Sequence, residues 1–390
     1  MRNISKEYSL DVIGQKYFNC EKDRAYTLYF SVPDNPGAGG RKMGICLLIA
    51  GFGADANASV YRKMRREFAD RENLVVVQCD YFGYEFMGRE LDAKIEKEVC
   101  NLKMFFSPEE CRKIEKGEFA CQQEVPRQYA YSVPETKENF CEMGLLQAMD
   151  NLRAMKIVMD ILEQNQMDYN RERIICYGHS QGAYLAYLCN ALAPNLLSGL
   201  IDNSAWLLPV FLLQPRKRLS VYCIFDYASG RIYLEQSEEK AGERPGILLE
   251  VYAAYQGNKW IDDMAAYSLN VIYEQVENHA KIISFHGKQD TLISVNDKED
   301  FIKKIPNAVM HIVDEDEIDG SLFKNTGHGM DADFLKLFYA VCSRESLQRS
   351  VKQKDIWRGS AFETIKYIYY TMQEDGVPVL KRKLKPESIQ

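Results

Sequence analysis

The sequence lacks several features that would assign it to a class at once. It has no C-x-x-C pair, so neither a zinc ribbon nor a thioredoxin-type redox motif is supported. Residues 1–7 are polar and contain no apolar signal core. The longest apolar run, residues 205–213, contains a proline and is too short to span a bilayer. We therefore expect a globular protein without a membrane span.

Charge and cysteine content narrow the class further. The net charge is −7, from 49 basic and 56 acidic residues, which gives no reason to expect a nucleic-acid partner. Eleven cysteines is an odd number, so at least one is unpaired, and several lie in apolar runs where a thiol packs as a small apolar group. Scattered Cys and His residues show no metal-ligand spacing, so neither a metal nor a cofactor is expected. These features predict a cytoplasmic protein.

Apolar runs alternate with amphipathic segments along most of the chain. The runs typical of buried strands are residues 44–50, 74–79, 174–177, 200–201, 280–285 and 308–313. Helical spacing predicts helices over 58–68 and 142–164, and two further helices are expected to finish the chain, near 331–342 and 362–372. This alternation predicts an α/β fold with a mostly parallel central sheet flanked by helices.

Interruptions of this alternation divide the chain into a predicted core and two predicted insertions. The core is expected over 1–83, 139–204 and 279–390. A first insertion with short helices of its own is expected over 84–138, since that stretch is too long for a loop in a compact domain. A second, over 205–278, is expected to hold strands at 221–225 and 232–234 and to form a cap or lid.

The clearest motif is Gly178-His179-Ser180-Gln181-Gly182. An apolar run precedes it and a helical pattern follows, which is the strand–turn–helix context that a G-x-S-x-G motif requires. Such a sharp turn holds the serine in a strained conformation and exposes its hydroxyl. The residues two before and two after it must lie against neighbouring backbone, where only glycine fits. The pattern predicts that Ser180 is a nucleophile.

Two further side chains follow predicted strands. Asp290 comes 110 residues after Ser180 (290 − 180), and His328 comes 38 residues later (328 − 290). Parallel sheets gather reactive groups at the carboxyl ends of their strands. A serine hydroxyl needs a base, and a buried carboxylate orients that base. His328 is therefore the expected base and Asp290 the expected acid, with Asp202, at the end of the preceding strand, left open as an alternative acid.

Three segments resemble the esterase- and lipase-like serine hydrolases of the α/β-hydrolase superfamily. They are the sharp turn at residues 178–182, called the elbow below, the strand end His286-Gly287-Lys288-Gln289-Asp290 and the loop Gly327-His328-Gly329. The resemblance extends over roughly residues 25–345, with gaps at the two insertions. It implies Ser180 as nucleophile, Asp290 as acid and His328 as base. It also implies an oxyanion hole formed by the backbone N–H groups of Phe52 and Gln181.

Many members carry His-Gly before that oxyanion residue. This chain has Ala50-Gly51 instead, so its loop is expected to be braced differently. More loosely, the chain resembles an uncharacterised bacterial family with large insertions, which supplies no substrate.

The remaining histidines are expected to be structural: His179 packs within the elbow, His286 lies at a strand end and His311 lies within a strand. Asp80 is expected to be a hydrogen-bonded carboxylate at the end of a strand.

The resulting hypothesis is a serine hydrolase that cleaves an ester, thioester or amide of a small acylated molecule through an acyl-enzyme, with a carboxylesterase as the leading form. An acyltransferase using the same residues, a peptidase and a non-catalytic binding scaffold remain open.

Overall fold

The computed structural model describes residues 5–36, 42–87, 103, 106–118, 123–132, 135–209, 216–226, 231–235, 246–254, 257–350 and 355–386. The chain divides into two compact units. The first comprises Met1–Tyr84, Lys137–Val210 and Ile261–Gln390, and the second comprises Glu85–Thr136 and Phe211–Trp260.

The strands and helices of the described residues are numbered in chain order. The strands are β1 (Lys6–Ile13), β2 (Ala25–Val32), β3 (Met43–Ile49), β4 (Leu74–Cys79), β5 (Gln123–Ser132), β6 (Tyr169–His179), β7 (Gly199–Asn203), β8 (Arg216–Asp226), β9 (Arg231–Glu235), β10 (Gly246–Ala254), β11 (Lys281–Gly287), β12 (Ala308–Val313), β13 (Ala361–Glu363), β14 (Tyr367–Glu374) and β15 (Val377–Leu384). The α-helices are α1 (Ser59–Glu72), α2 (Pro108–Glu115), α3 (Leu145–Gln164), α4 (Gln181–Leu192), α5 (Leu269–Tyr273), α6 (Val295–Lys303) and α7 (Phe334–Arg344).

The first unit is built on an eight-stranded sheet in the order β1-β2-β4-β3-β6-β7-β11-β12. The β1–β2 and β2–β4 pairs are antiparallel, and every later pair is parallel. Every residue of β3, β4 and β7 is buried, as expected for parallel strands covered on both faces. The predicted fold class is confirmed: the first unit is an α/β fold with a mostly parallel central sheet flanked by helices.

Helices cover the sheet on both faces. On one face, Phe68 of α1 stacks on Phe338 of α7 at 3.7 Å between ring centroids, and Tyr177 of β6 packs edge-on against Phe338. Since successive side chains of a strand point to opposite faces, Cys176 points away from these helices. Helices α3 and α4 pack against each other. Helix α3 also packs against β4, and α4 packs against β6. Ser180 follows the buried end of β6, residues 174–178, and precedes α4, which is buried along its whole length.

The second unit contains a four-stranded sheet in the order β5-β10-β8-β9, together with α2. A capping box starts α2, in which Ser107 and Glu110 satisfy each other's backbone N–H groups. The short helix expected in the first insertion and the two strands expected in the second are present, whereas β5 was not predicted. That this unit acts as a cap or lid stays a prediction.

The second insertion is shorter than the predicted 205–278. Residues 205–210 and 261–278 belong to the first unit, since Trp206, Tyr267 and Leu269 are buried there. The Leu269 N–H donates to the carbonyl of Leu207 at 2.9 Å, and the Tyr184 hydroxyl of α4 donates to the carbonyl of Tyr267 at 2.8 Å. The buried apolar side chains at both ends of the second insertion hold these residues in the core of the first unit.

The helix predicted over 362–372 is wrong, because that region forms the antiparallel sheet β13-β14-β15. The reason is the turn at Asp375-Gly376, where both residues have positive φ (50° and 78°). This conformation is that of a two-residue hairpin turn, and Asp-Gly is a preferred sequence for it. Burial of Tyr369 and Leu380 fixes the hairpin against the rest of the first unit.

No helix among the residues that the structure describes has the length and apolar character needed to cross a membrane. Within the same residues, no cluster of three or more His, Cys, Asp or Glu side chains is arranged to hold a metal ion.

Candidate active site

Ser180 occupies the turn between β6 and α4 in a strained conformation, with φ 54° and ψ −119°. Both flanking glycines are required by close backbone contacts. A Cβ on Gly178 would lie 2.4 Å from the Ala183 nitrogen, and one on Gly182 would lie 2.3 Å from the Ile49 carbonyl oxygen. The predicted elbow geometry is confirmed. The close approach of Gly182 also places the start of α4 beside the end of β3.

The structure brings Ser180, His328 and Asp290 together in one chain of hydrogen bonds. Ser180 Oγ lies 2.7 Å from His328 Nε2, and His328 Nδ1 lies 2.7 Å from Asp290 Oδ2. An ionised carboxylate only accepts, so Nδ1 carries the proton that it donates to Asp290. Nε2 is then left with a lone pair facing the serine hydroxyl. This is the tautomer in which the imidazole can take a proton from Ser180.

Asp290 is held ionised although its side chain is fully buried. Burial by itself raises the pKa of a carboxyl, but here the hydrogen bond and charge of His328 outweigh it and lower the pKa of Asp290. The backbone N–H groups of Leu292 and Ile293 donate to Oδ1 at 2.8 and 3.2 Å. One carboxylate oxygen is thus fixed by the loop, and the other is presented to the imidazole.

His286 packs against the same carboxylate. Its Nε2–H donates to the Ile293 carbonyl at 3.0 Å and lies 3.5 Å from Asp290 Oδ2. Burial lowers the pKa of His286. These contacts fit the structural role expected for it.

His179 lies within the elbow against two glycines. A Cβ on Gly51 would be 2.9 Å from its Nδ1, and one on Gly329 would be 2.7 Å from its Nε2. Its ring lies 4.8 Å from that of Phe334 and 6.4 Å from that of His328, between centroids. Burial, and then the nearby His328, lower the pKa of His179 to about 4. A neutral imidazole here adds no positive charge beside His328 at neutral pH, which fits a packing role.

Asp202, the alternative acid, is engaged elsewhere. Its Oδ2 lies 2.7 Å from Lys298 Nζ, and both side chains are fully buried. Tyr187 and Ser284 donate their hydroxyls to the same oxygen at 2.9 and 2.7 Å. The Ala205 N–H donates to Oδ1 at 2.7 Å. These partners make Asp202 the anchor of a buried ion pair, and the imidazole of His328 is bonded to Asp290 instead.

Lys298 was missed by the sequence analysis, although a signal was present. It precedes Phe301 by three positions and Ile302 by four, and both are buried on α6. That spacing places a lysine on the apolar face of a helix, where only an acidic partner makes it tolerable. Ser204 was missed as well. Its Oγ accepts the N–H of Gly329, the residue after His328, at 3.0 Å, and so ties down the loop that carries the imidazole.

Phe52 and Gln181, the expected oxyanion residues, lie in neighbouring segments. Phe52 follows β3, with its ring 6.2 Å from that of Trp206. Gln181 is the first residue of α4, and its side-chain amide donates to Gln147 Oε1 at 2.7 Å. The N-terminus of a helix carries a partial positive charge that favours an anion. That the two backbone N–H groups form an oxyanion hole stays a prediction.

The family model described as "Protein of unknown function (DUF2920)" matches residues 92–343, well over half of the chain. The chain belongs to this family. The matched region includes the elbow, Asp290 and His328, and it begins after Phe52.

Among curated protein sequences, none matches this chain. Solved structures with a similar fold include Est1E from Butyrivibrio proteoclasticus with bound ferulic acid, at 13% identity and a TM-score of 0.40, covering 81% of this chain and 92% of that one. The acylaminoacyl peptidase of Pyrococcus horikoshii is 11% identical with a TM-score of 0.45, over 90% of this chain and 44% of that one. The peroxisomal α/β-hydrolase Lpx1 of Saccharomyces cerevisiae is 10% identical with a TM-score of 0.45, over 91% and 95% of the two chains.

Proposed function

We propose that this protein is a serine hydrolase that cleaves a carboxylic ester of a small molecule through an acyl-enzyme. The observation that carries the proposal is the unbroken path from Ser180 Oγ through the imidazole of His328 to Asp290, with both hydrogen bonds at 2.7 Å. A thioester or an amide would react by the same steps. The cysteines whose side chains the structure describes are free thiols, which fits activity in the reducing cytoplasm.

Each group has a defined task in the proposed reaction. Ser180 Oγ attacks the ester carbonyl while its proton passes to His328 Nε2. Asp290 stabilises the imidazolium that forms. The N–H groups of Phe52 and Gln181 donate to the oxygen on which negative charge develops. His328 then returns the proton to the departing alcohol, and a water molecule, activated by the same imidazole, releases the acid and restores Ser180.

The test is labelling with a fluorophosphonate probe, combined with hydrolysis of p-nitrophenyl esters of increasing chain length. We expect the native chain to label at one site and to hydrolyse a short ester. Ser180→Ala should abolish both, and His328→Ala should reduce both severely. Ser343→Ala, which changes an exposed serine of α7, is the matched control and should behave as the native chain does. A native chain that neither labels nor hydrolyses any of these esters would overturn the proposal.

A further inference from the structure

The loop that carries Phe52 is tied down at its first end by two tyrosine hydroxyls. The Gly51 N–H donates to the Tyr61 hydroxyl at 3.1 Å, and the Tyr81 hydroxyl donates to the Ala50 carbonyl at 3.3 Å. The Ala54 N–H closes a turn onto the Gly51 carbonyl at 3.2 Å. Phe52 lies inside this turn, so its backbone moves with the two ends of the loop.

At its other end the loop is held at Ala56, which is buried, by two side chains from different elements. The Ala56 N–H donates to Oδ1 of Asp80, which directly follows β4, at 3.3 Å. The Ala56 carbonyl accepts from the Arg65 guanidinium of α1. Asp80 and Arg65 are themselves only 7% and 2% exposed. Both polar groups of one loop residue are therefore satisfied by buried, charged side chains.

These two side chains are fixed in turn by their own partners. The Tyr29 hydroxyl of β2 donates to Asp80 Oδ2 at 3.1 Å, and Arg65 donates to Gln78 Oε1 of β4 at 2.7 Å. Arg65 also lies 3.6 Å from Glu7 of β1. The loop is thus fixed to strands of the central sheet. A shift at Ala56 would break its hydrogen bonds to ionised side chains, which are stronger than hydrogen bonds between neutral groups.

We propose that Asp80 and Arg65 are positioning residues that clamp the loop so that the Phe52 N–H points at the developing oxyanion. The proposal rests on the serine-hydrolase function argued above and assigns to this chain the brace of its Ala50-Gly51 loop. Neither side chain touches the reacting atoms. Each acts through Ala56, four residues beyond Phe52.

The clamp has a consequence specific to the transition state. Loss of one oxyanion donor typically lowers turnover by about 10²–10³, and a displacement of about 1 Å is enough to weaken one. A released loop should leave the donor present but poorly placed, so we expect kcat to fall about tenfold. KM should change little, because the oxyanion forms only as the reaction proceeds.

The experiment compares Asp80→Ala, Asp80→Asn and Asp70→Ala with the native chain, using a p-nitrophenyl ester. Active sites are counted by end-point fluorophosphonate labelling, so that kcat refers to folded, competent protein. Asp80→Ala should lower kcat per labelled site about tenfold. Asp80→Asn should fall less, because its amide oxygen can still accept from Ala56. Asp70 accepts the N–H groups of Ser5 and Asp34 at 3.1 and 3.2 Å, away from this loop, and its variant should keep native kcat.

The outcomes separate the clamp from the activity on which it depends. If the native chain neither labels nor hydrolyses, the proposed function fails before the clamp is examined. If the native chain is active and Asp80→Ala keeps its kcat per labelled site, the clamp is refuted. A loss of labelled sites with native kcat at those remaining would mean that Asp80 serves stability alone, which also refutes it.

Discussion

Glu142, a fully buried carboxyl just before α3, should make the stability of the first unit depend on pH. Its Oε1 accepts the Tyr267 hydroxyl at 2.6 Å, and its Oε2 accepts the N–H groups of Gly144 and Leu146 at 3.0 and 3.1 Å. Burial raises the pKa of Glu142 from 4.5 to about 7, although these hydrogen bonds act in the opposite direction. The folded state therefore binds a proton more tightly than the unfolded state does.

The sign and the size of the effect follow from this difference in pKa. The contribution to stability is fully present below the unfolded pKa of 4.5 and is lost as the pH rises through the folded pKa of about 7. At about 1.4 kcal/mol for each pH unit, the loss is roughly 3 kcal/mol. Asp80 acts with the same sign, because burial raises its pKa from 3.8 to about 6.

Glu142→Gln removes this titration and keeps the shape of the site. The amide oxygen can still accept the two backbone N–H groups, and the amide N–H can donate to the Tyr267 hydroxyl. Unfolding by urea at pH 5, 6, 7 and 8 measures the result. Between pH 5 and 8 the variant should lose about 2.5 kcal/mol less stability than the native chain, and it should be the more stable of the two at pH 8. Glu172→Gln, at an exposed position of β6, is the control and should follow the native curve. Parallel curves for Glu142→Gln and the native chain would refute the reasoning.

Three further substitutions distinguish the roles assigned above. Asp290→Asn should leave the fold intact but lower turnover by about 10⁴, because His328 loses the acceptor that sets its tautomer; retained turnover would show that the acid is misassigned. Asp202→Asn leaves Lys298 buried without a counter-charge, so the free energy of unfolding should fall by about 3–5 kcal/mol in urea titrations, and an unchanged value would contradict the buried ion pair. Gly182→Ala places a methyl group against the carbonyls at the end of β3, so the free energy of unfolding should fall by about 1–3 kcal/mol and fluorophosphonate labelling should decrease. A variant with native stability and native labelling would argue against the close approach.

The parts of this molecule that sequence predicted well are those with a local signal. An unbroken apolar run indicates a strand that is buried on both faces, as β3 and β4 are. The elbow requires glycine at two fixed positions around Ser180. Asp290 and His328 could be chosen because strand ends in a parallel sheet converge, and the structure does bring them to Ser180. In each case one short segment contains all the information that its placement requires.

The parts that sequence missed depend on partners distant in the chain or on a signal that was outweighed. Lys298 has a local signal, its place on the apolar face of α6, but its partner Asp202 is 96 positions away (298 − 202) and the sequence does not show which acid it meets. The hairpin of β14 and β15 follows from Asp375-Gly376, a turn signal that the prediction of a helix over 362–372 did not use. The brace of the Phe52 loop uses α1, β2 and β4 at once, so no single segment reveals it.

The most direct test of the account is to trap the acyl-enzyme. The native chain is mixed with a short p-nitrophenyl ester, quenched in acid within the first turnovers, digested and examined by mass spectrometry. We expect one acyl group on the peptide that contains Ser180, formed as fast as nitrophenol is released, and none in Ser180→Ala. Ester hydrolysis without that adduct, or with the acyl group on another side chain, would contradict it.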